Sequence, residues 1–183
     1  SQDALPANAE YLRHLAAPFA RADMAGTYGR QVLADEYDPL GEKDLERTYP
    51  PRSRTQGRGE CWFVNTCSMI RRSLWERHPF DDGAYVSEDH EWGKWATDHG
   101  YAIGYVAEAV VRHYHPFRRR RELWGRYYAE GRGLAHVHAR PYRALTALGA
   151  YVRETLSDGL WLARRGMPWH WPRSWWQEGY QAT

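Results

Sequence analysis

A helix that must stop at Gly100 and pass directly into extended chain is the feature that most restricts what this sequence can fold into. Ser87 is a capping residue type, Trp92, Trp95 and Ala96 keep a helical period to about His99, and Gly100 supplies the stop. Tyr101, Ile103 and Tyr105 then alternate with period two, and Ala109 to Tyr114 forms a second extended run. Helix and strand patterns interleaved in this way point to an α/β domain with a mixed sheet flanked by helices.

The remaining segments extend that reading. Asn8 reads as a helix cap, followed by apolar positions Tyr11, Leu12, Leu15, Ala16 and Phe19 at helical spacing. Ala25 to Leu33 reads as a strand in which Gly26 and Gly29 mark a close approach of backbone. Asp35 to Gly59 is polar and rich in Pro, Gly and Arg, so it reads as a long surface loop with a helical turn near Glu42 to Tyr49. Cys61 to Arg71 leans toward strand, Ser73 to His78 is a brief helix, and Arg119 to His138 and Tyr142 to Arg164 are helical. The expected division is a first domain over 1–117 and a basic, aromatic, helical C-terminal extension over 118–183.

Composition decides what fills the core and which partners are excluded. A mean hydropathy of −0.80 sits beside 10 Trp and 13 Tyr, residues that bury large areas while scoring as polar, so the core should be aromatic. A formal net charge of +2 argues against a whole-protein field that collects nucleic acid. Positive charge is local: Arg112, Arg118, Arg119, Arg120, Arg121, Arg126 and Arg132 face only Glu122 and Glu130 within one stretch. Cys61 and Cys67 form no CxxC pair, which suits a reducing cytoplasm. No apolar run approaches the roughly 18 to 20 residues that span a bilayer. The four-arginine run and the Trp-rich tail suit a peripheral site at the inner face of a membrane, or else a solvated turn and a tail packed on its own domain.

Three short pieces carry chemistry. Glu88 and Asp89 open the Ser87 helix; acids there complement the helix dipole, and one of them in a cleft can also serve as a general base. His113 and His115 flank Tyr114 and would share one face of a strand, as a pair of strand-end histidines or as metal ligands. Asp3 follows a strand-like start, where an acid is either a turn residue or a ligand for a phosphate-bound cation.

In order and spacing, Asn65 to Glu76, Pro79-Phe80, Ser87 to Trp92, Gly100-Tyr101 and His113-Tyr114-His115 resemble family 2 glycosyltransferases, particularly bacterial rhamnosyltransferase-like members. Ser1-Gln2-Asp3-Ala4 is similar to a DxD motif whose first acid is replaced, and Tyr28-Gly29-Arg30-Gln31 resembles the stretch that follows it. The resemblance covers about residues 1 to 135 and implies a partial A-type glycosyltransferase fold. It implies that Asp89 is the base that deprotonates an acceptor hydroxyl, supported by Glu88, and that Asp3 with His113 or His115 holds Mn2+ or Mg2+. Arg126 becomes a candidate for the donor diphosphate, Arg30 for the diphosphate or the acceptor, and Trp92 for the floor of the acceptor site. Arg126 on a solvated helix face and Trp92 in the core are the plainer alternatives.

The implied partners are a nucleotide-sugar donor and a saccharide or lipid-linked saccharide acceptor, with no nucleic acid. Members of such a family carry a nucleotide-binding half before the DxD strand. The expectation is therefore that this half comes from a missing N-terminal portion or a partner chain, and that the isolated chain is inactive. The alternative from another class is a non-catalytic metal- or anion-binding, membrane-peripheral module.

Overall fold

A computed structural model describes residues 4–34, 39–60, 62–84, 86–113, 120–138, 144–172 and 174–175. The chain forms two compact units, Ser1–His115 and Pro116–Thr183. In the first, two long strands carry the fold. β2 (Met24–Leu33) and β5 (Ala102–His113) run parallel, and near-continuous burial marks both as strands covered on two faces. β4 (Ser68–Ile70) pairs antiparallel with β2. β5 carries two further antiparallel partners, β3 (Arg54–Gln56) along Ile103–Tyr105 and β1 (Ala4–Pro6) along Val111–His113. The result is the mixed α/β sheet the sequence pattern implies, compatible with part of a glycosyltransferase-like domain.

Helices α1 (Tyr11–Ala16), α2 (Pro39–Thr48), α3 (Arg72–Arg77) and α4 (Glu88–Asp98) flank the sheet. The main core cluster gathers Tyr28, Phe63, Leu74, Trp92, Ile103 and Tyr105, and a second gathers Tyr11, Leu15, Val106, Ala109 and Val111. The core is aromatic as expected: Trp92, Tyr28, Tyr105 and Phe63 are its largest fully buried side chains. The second unit contains α5 (Arg120–His138) and α6 (Ala144–Arg164).

Several boundaries differ from the sequence pattern for identifiable reasons. Asn8 does not cap α1, whose first helical residue is Tyr11; its amide instead donates to the Glu108 carbonyl at 3.5 Å. Pro18 cannot donate to the helical ladder, and the chain tightens into a 3-10 turn over Ala17–Ala20. The polar stretch expected as a loop with a helical turn near Glu42 to Tyr49 contains a longer helix, α2, and the strand β3, because Leu40 and Tyr49 are buried and Leu45 packs on the main cluster. The two extended runs expected after Gly100 are one strand, β5, with a bulge in it.

That bulge has a specific architecture. Pairing steps from Gly29 opposite Val106 to Arg30 opposite Val110, so Ala107, Glu108 and Ala109 are extra residues on β5. The Ala109 carbonyl lies where a side chain at position 29 would begin: a Cβ on Gly29 would sit 2.3 Å from that oxygen. Ser53 fastens the bulge, accepting from the Ala107 N–H at 2.8 Å and donating to Glu108 Oε2 at 2.6 Å.

Gly29→Ala should therefore destabilise the first unit by about 1–3 kcal/mol, the usual range for overpacking against backbone, measured as a lower urea midpoint at unchanged m-value. The Ser53 hydrogen bond also holds the Glu108 carboxyl below the ordinary glutamate range. A depressed folded value means the contribution is present above the unfolded pKa, about 4.3, and is lost as pH falls through the lower folded value. Amide exchange at Ala107 should accelerate in that acid window, and Ser53→Ala should abolish the pH dependence.

Candidate active site

The start of α4 is built by Asp89. Ser87 precedes the helix and is buried, yet its side chain makes no capping hydrogen bond, contrary to the capping expected from sequence. Asp89 Oδ1 accepts the His90 N–H at 2.8 Å, and Oδ2 accepts the Asn65 N–H at 3.0 Å from the 3-10 turn Asn65–Cys67. The carboxylate is thus fixed between two backbone segments. Glu88 beside it is half-buried.

The rest of α4 is anchored from beneath. Trp92 is 0 % exposed and donates from Nε1 to the His78 carbonyl at 3.0 Å. His78 in turn lies 3.1 Å from both Glu91 carboxylate oxygens and stacks on Trp95 with ring centroids 4.5 Å apart. Trp92 accordingly lies wholly within the core, as the plainer sequence alternative had it, and offers no ring face to an acceptor. It acts on Asp89 only by fixing the helix that bears it.

His113 ends β5 and is 7 % exposed. Its Nδ1 is 2.6 Å from Gln31 Oε1, while Gln31 Nε2 donates to the Tyr49 hydroxyl at 2.9 Å. With the amide nitrogen committed to Tyr49, the carbonyl faces the imidazole, so Nδ1 carries the proton and donates. A hydrogen bond of this kind fixes ring orientation and tautomer, the usual support for a histidine that contacts a ligand through Nε2. Burial pushes the Tyr49 phenol well above its ordinary range, and neighbouring groups that include Asp89 add to the shift. Tyr49 is tied to His113 through the one Gln31 amide that bonds both.

Cys67 borders this cluster. Its thiol points to the Gly29 carbonyl at 3.5 Å, and burial raises it to about 11, so it stays protonated at neutral pH and serves as packing. Arg30 is half-buried on β2, and its Nε is buried with no hydrogen-bond partner among the described residues. Its positive charge reaches Tyr105, whose hydroxyl donates to the Pro50 carbonyl at 2.7 Å. A buried guanidinium nitrogen in that state is suited to an incoming anion.

Arg126 belongs to α5 of the second unit, where it pairs with Glu130 at 2.5 Å. Asp3 and His115 lie outside the described residues. Among the described residues no group of three or more His, Cys, Asp or Glu side chains comes together to hold a metal ion. Of the expected ligand set, His113 alone can be placed. An open cleft of about 420 Å³ lies at the β5 bulge, lined by His14, Ser53, Arg54, Tyr105 and Glu108 among others, and none of the described candidate site residues lines it.

Gln31, Tyr49 and Asn65 were not assigned roles from sequence. Gln31 could have been noticed, since a glutamine inside an apolar strand must find a buried partner. Tyr49 sits at the end of a segment that reads as loop, and Asn65 contributes only its backbone, which no side-chain pattern reveals.

The chain is similar to the O-antigen chain rhamnosyltransferase RfbN of Salmonella typhimurium, 27% identical over 140 residues, covering 72% of this chain and 44% of that protein. It is also similar to the O-antigen chain rhamnosyltransferase WbaN of Salmonella anatum, 26% identical with the same coverage. The chain thus spans less than half the length of these relatives, and the relationship is glycosyltransferase-like. No protein-family model matches, and no solved structure matches.

Gln31→Leu would leave the Tyr49 hydroxyl and His113 Nδ1 without their present buried partner. The expected cost is about 1–3 kcal/mol, read from chemical denaturation. Nitrogen NMR of the imidazole should show His113 shifting from a single tautomer to a mixture.

Proposed function

We propose that this chain forms the acceptor-activating part of an inverting glycosyltransferase of family 2 type, acting in surface polysaccharide synthesis. The observation that carries the reading is the Asp89 carboxylate held at the start of α4 by two backbone N–H groups, in a chain similar to two O-antigen rhamnosyltransferases. The names of those relatives make a nucleotide-activated rhamnose the first donor to test and a saccharide hydroxyl, free or lipid-linked, the first acceptor.

Asp89 accepts the proton of the acceptor hydroxyl as its oxygen bonds to the anomeric carbon. The bond from that carbon to the nucleoside diphosphate breaks on the opposite side, its electron pair leaving with the phosphate oxygen. One in-line displacement inverts the anomeric centre. The backbone N–H groups of His90 and Asn65 hold the carboxylate in position, and Glu88 adds negative charge beside it. Arg30, with its Nε buried and unpaired among the described residues, offers its guanidinium to the leaving diphosphate, where negative charge develops.

A divalent cation, Mn2+ or Mg2+, belongs to the same proposal. His113 would hold it through the nitrogen that Gln31 leaves unprotonated, with Asp3 and His115 completing the set. Such an ion neutralises developing charge on a diphosphate.

Asp89→Asn should lower sugar transfer by about 10²–10⁴-fold, measured as nucleoside diphosphate release by the protein expressed with its natural flanking sequence. Calorimetry with Mn2+ should show tighter binding in the presence of a nucleoside diphosphate, and that synergy should survive Asp89→Asn. Transfer undiminished by the substitution would overturn the assignment of the base. Mn2+ binding indifferent to the diphosphate would favour a non-catalytic metal-binding module.

A further inference from the structure

Helix α6 wears its apolar side outward. Leu145, Leu148, Val152, Leu156 and Leu160 recur every three or four residues, so they form one stripe along the helix. Their exposures are 85%, 57%, 48%, 54% and 62%. The face turned inward instead carries Thr155 and Asp158, at 9% and 2%, together with Leu162. A soluble helix places these residue types the other way round.

The aromatic tail covers that inward face. Trp171 donates from Nε1 to the Thr155 carbonyl at 2.8 Å, and it packs so closely on Gly159 that a Cβ there would meet its ring at 2.6 Å. The Tyr151 hydroxyl donates to the Trp175 carbonyl at 2.8 Å. Trp171 and the Trp175 backbone are therefore committed to α6, and the leucine stripe stays exposed.

The rim of the stripe identifies what fits it. Arg153 and Arg164 lie along one border, both exposed, and the Arg165 guanidinium sits 4.2 Å over the Trp161 ring. Of the acids on the helix, Asp158 is buried on the opposite face, and Glu154 pairs with Arg153 at 3.0 Å in an exposed ion pair, a weak kind that a headgroup can replace. A second copy of the helix would bring the same cationic rim to the seam, and α6 itself carries no fully exposed carboxylate to meet it. An anionic lipid surface offers both an apolar layer for the leucines and negative headgroups for the arginines. No described helix is long and apolar enough to cross a membrane, so the geometry is that of a helix lying on the surface.

We propose that the Leu145–Leu160 stripe of α6 docks this chain on an anionic lipid bilayer, with Arg153 and Arg164 at the headgroups. The inference is independent of the transferase reading. The test is flotation of the purified chain with vesicles of phosphatidylcholine alone or mixed with phosphatidylglycerol. The expected result is capture by the mixed vesicles, weakened by salt. Leu148→Glu with Leu156→Glu should reduce capture at least about tenfold, with far-UV circular dichroism unchanged because both side chains are already in solvent. Arg153→Ala and Arg164→Ala should each cost about fivefold on the mixed vesicles and nothing on phosphatidylcholine. Absence of capture by the mixed vesicles, or capture indifferent to the paired glutamates, would overturn the proposal. Self-association that the glutamates abolish, without vesicle binding, would assign the stripe to a second copy instead.

Discussion

The parallel pairing of β2 with β5 is the contact on which the first unit depends. It is made possible by the absence of a side chain at Gly29, which lets the Ala109 carbonyl enter the space a Cβ would occupy. Because three extra residues are taken up there, the ends of both strands fall in a register that sets Leu33 opposite His113 and brings Gln31 within reach of the imidazole. Without the bulge, His113 would be carried several residues along β2 and the buried pair would not form. A local backbone feature thus decides the position of a side chain far along the strand.

Around that frame the candidate site is held mostly by backbone and by neutral polar groups. Asp89 is fixed by two N–H donors, His113 by an amide, and Tyr49 by the same amide. Such bonds contribute modestly one by one, but leaving any of these buried partners unsatisfied is expensive. The arrangement favours rigid placement of a few reacting groups, which is what a displacement at a sugar carbon needs. The second unit obeys different physics: its helix α6 turns leucines to solvent while its tail covers the polar face. A surface of that kind has a reason only where water is not the final neighbour.

Local patterning made several elements legible. α4, its stop at Gly100 and the strand behind it follow from periodicity and a glycine with positive φ. An aromatic core follows from the composition, and Tyr28, Tyr105 and Trp92 are among the side chains that fill it. Gly29 was recognisable as a point of close approach, although what approaches it was not. In contrast, β3 and the full extent of α2, of which only a turn near Glu42 to Tyr49 was legible, depend on burial of Leu40, Tyr49 and Gln56 against distant residues. The apolar periodicity of α6 was visible, but periodicity does not say which side faces inward.

The sequence by itself determined the residue types available for chemistry: an Asp at a helix start, a histidine at a strand end and arginines near both. It determined the α/β class as well, because helical and strand periods are written in neighbouring residues. Tertiary structure alone decided that Gln31 bridges Tyr49 and His113, and that the leucines of α6 stay exposed. Those outcomes depend on register and on which long-range partner covers which face, and neither quantity is encoded in any local stretch of chain.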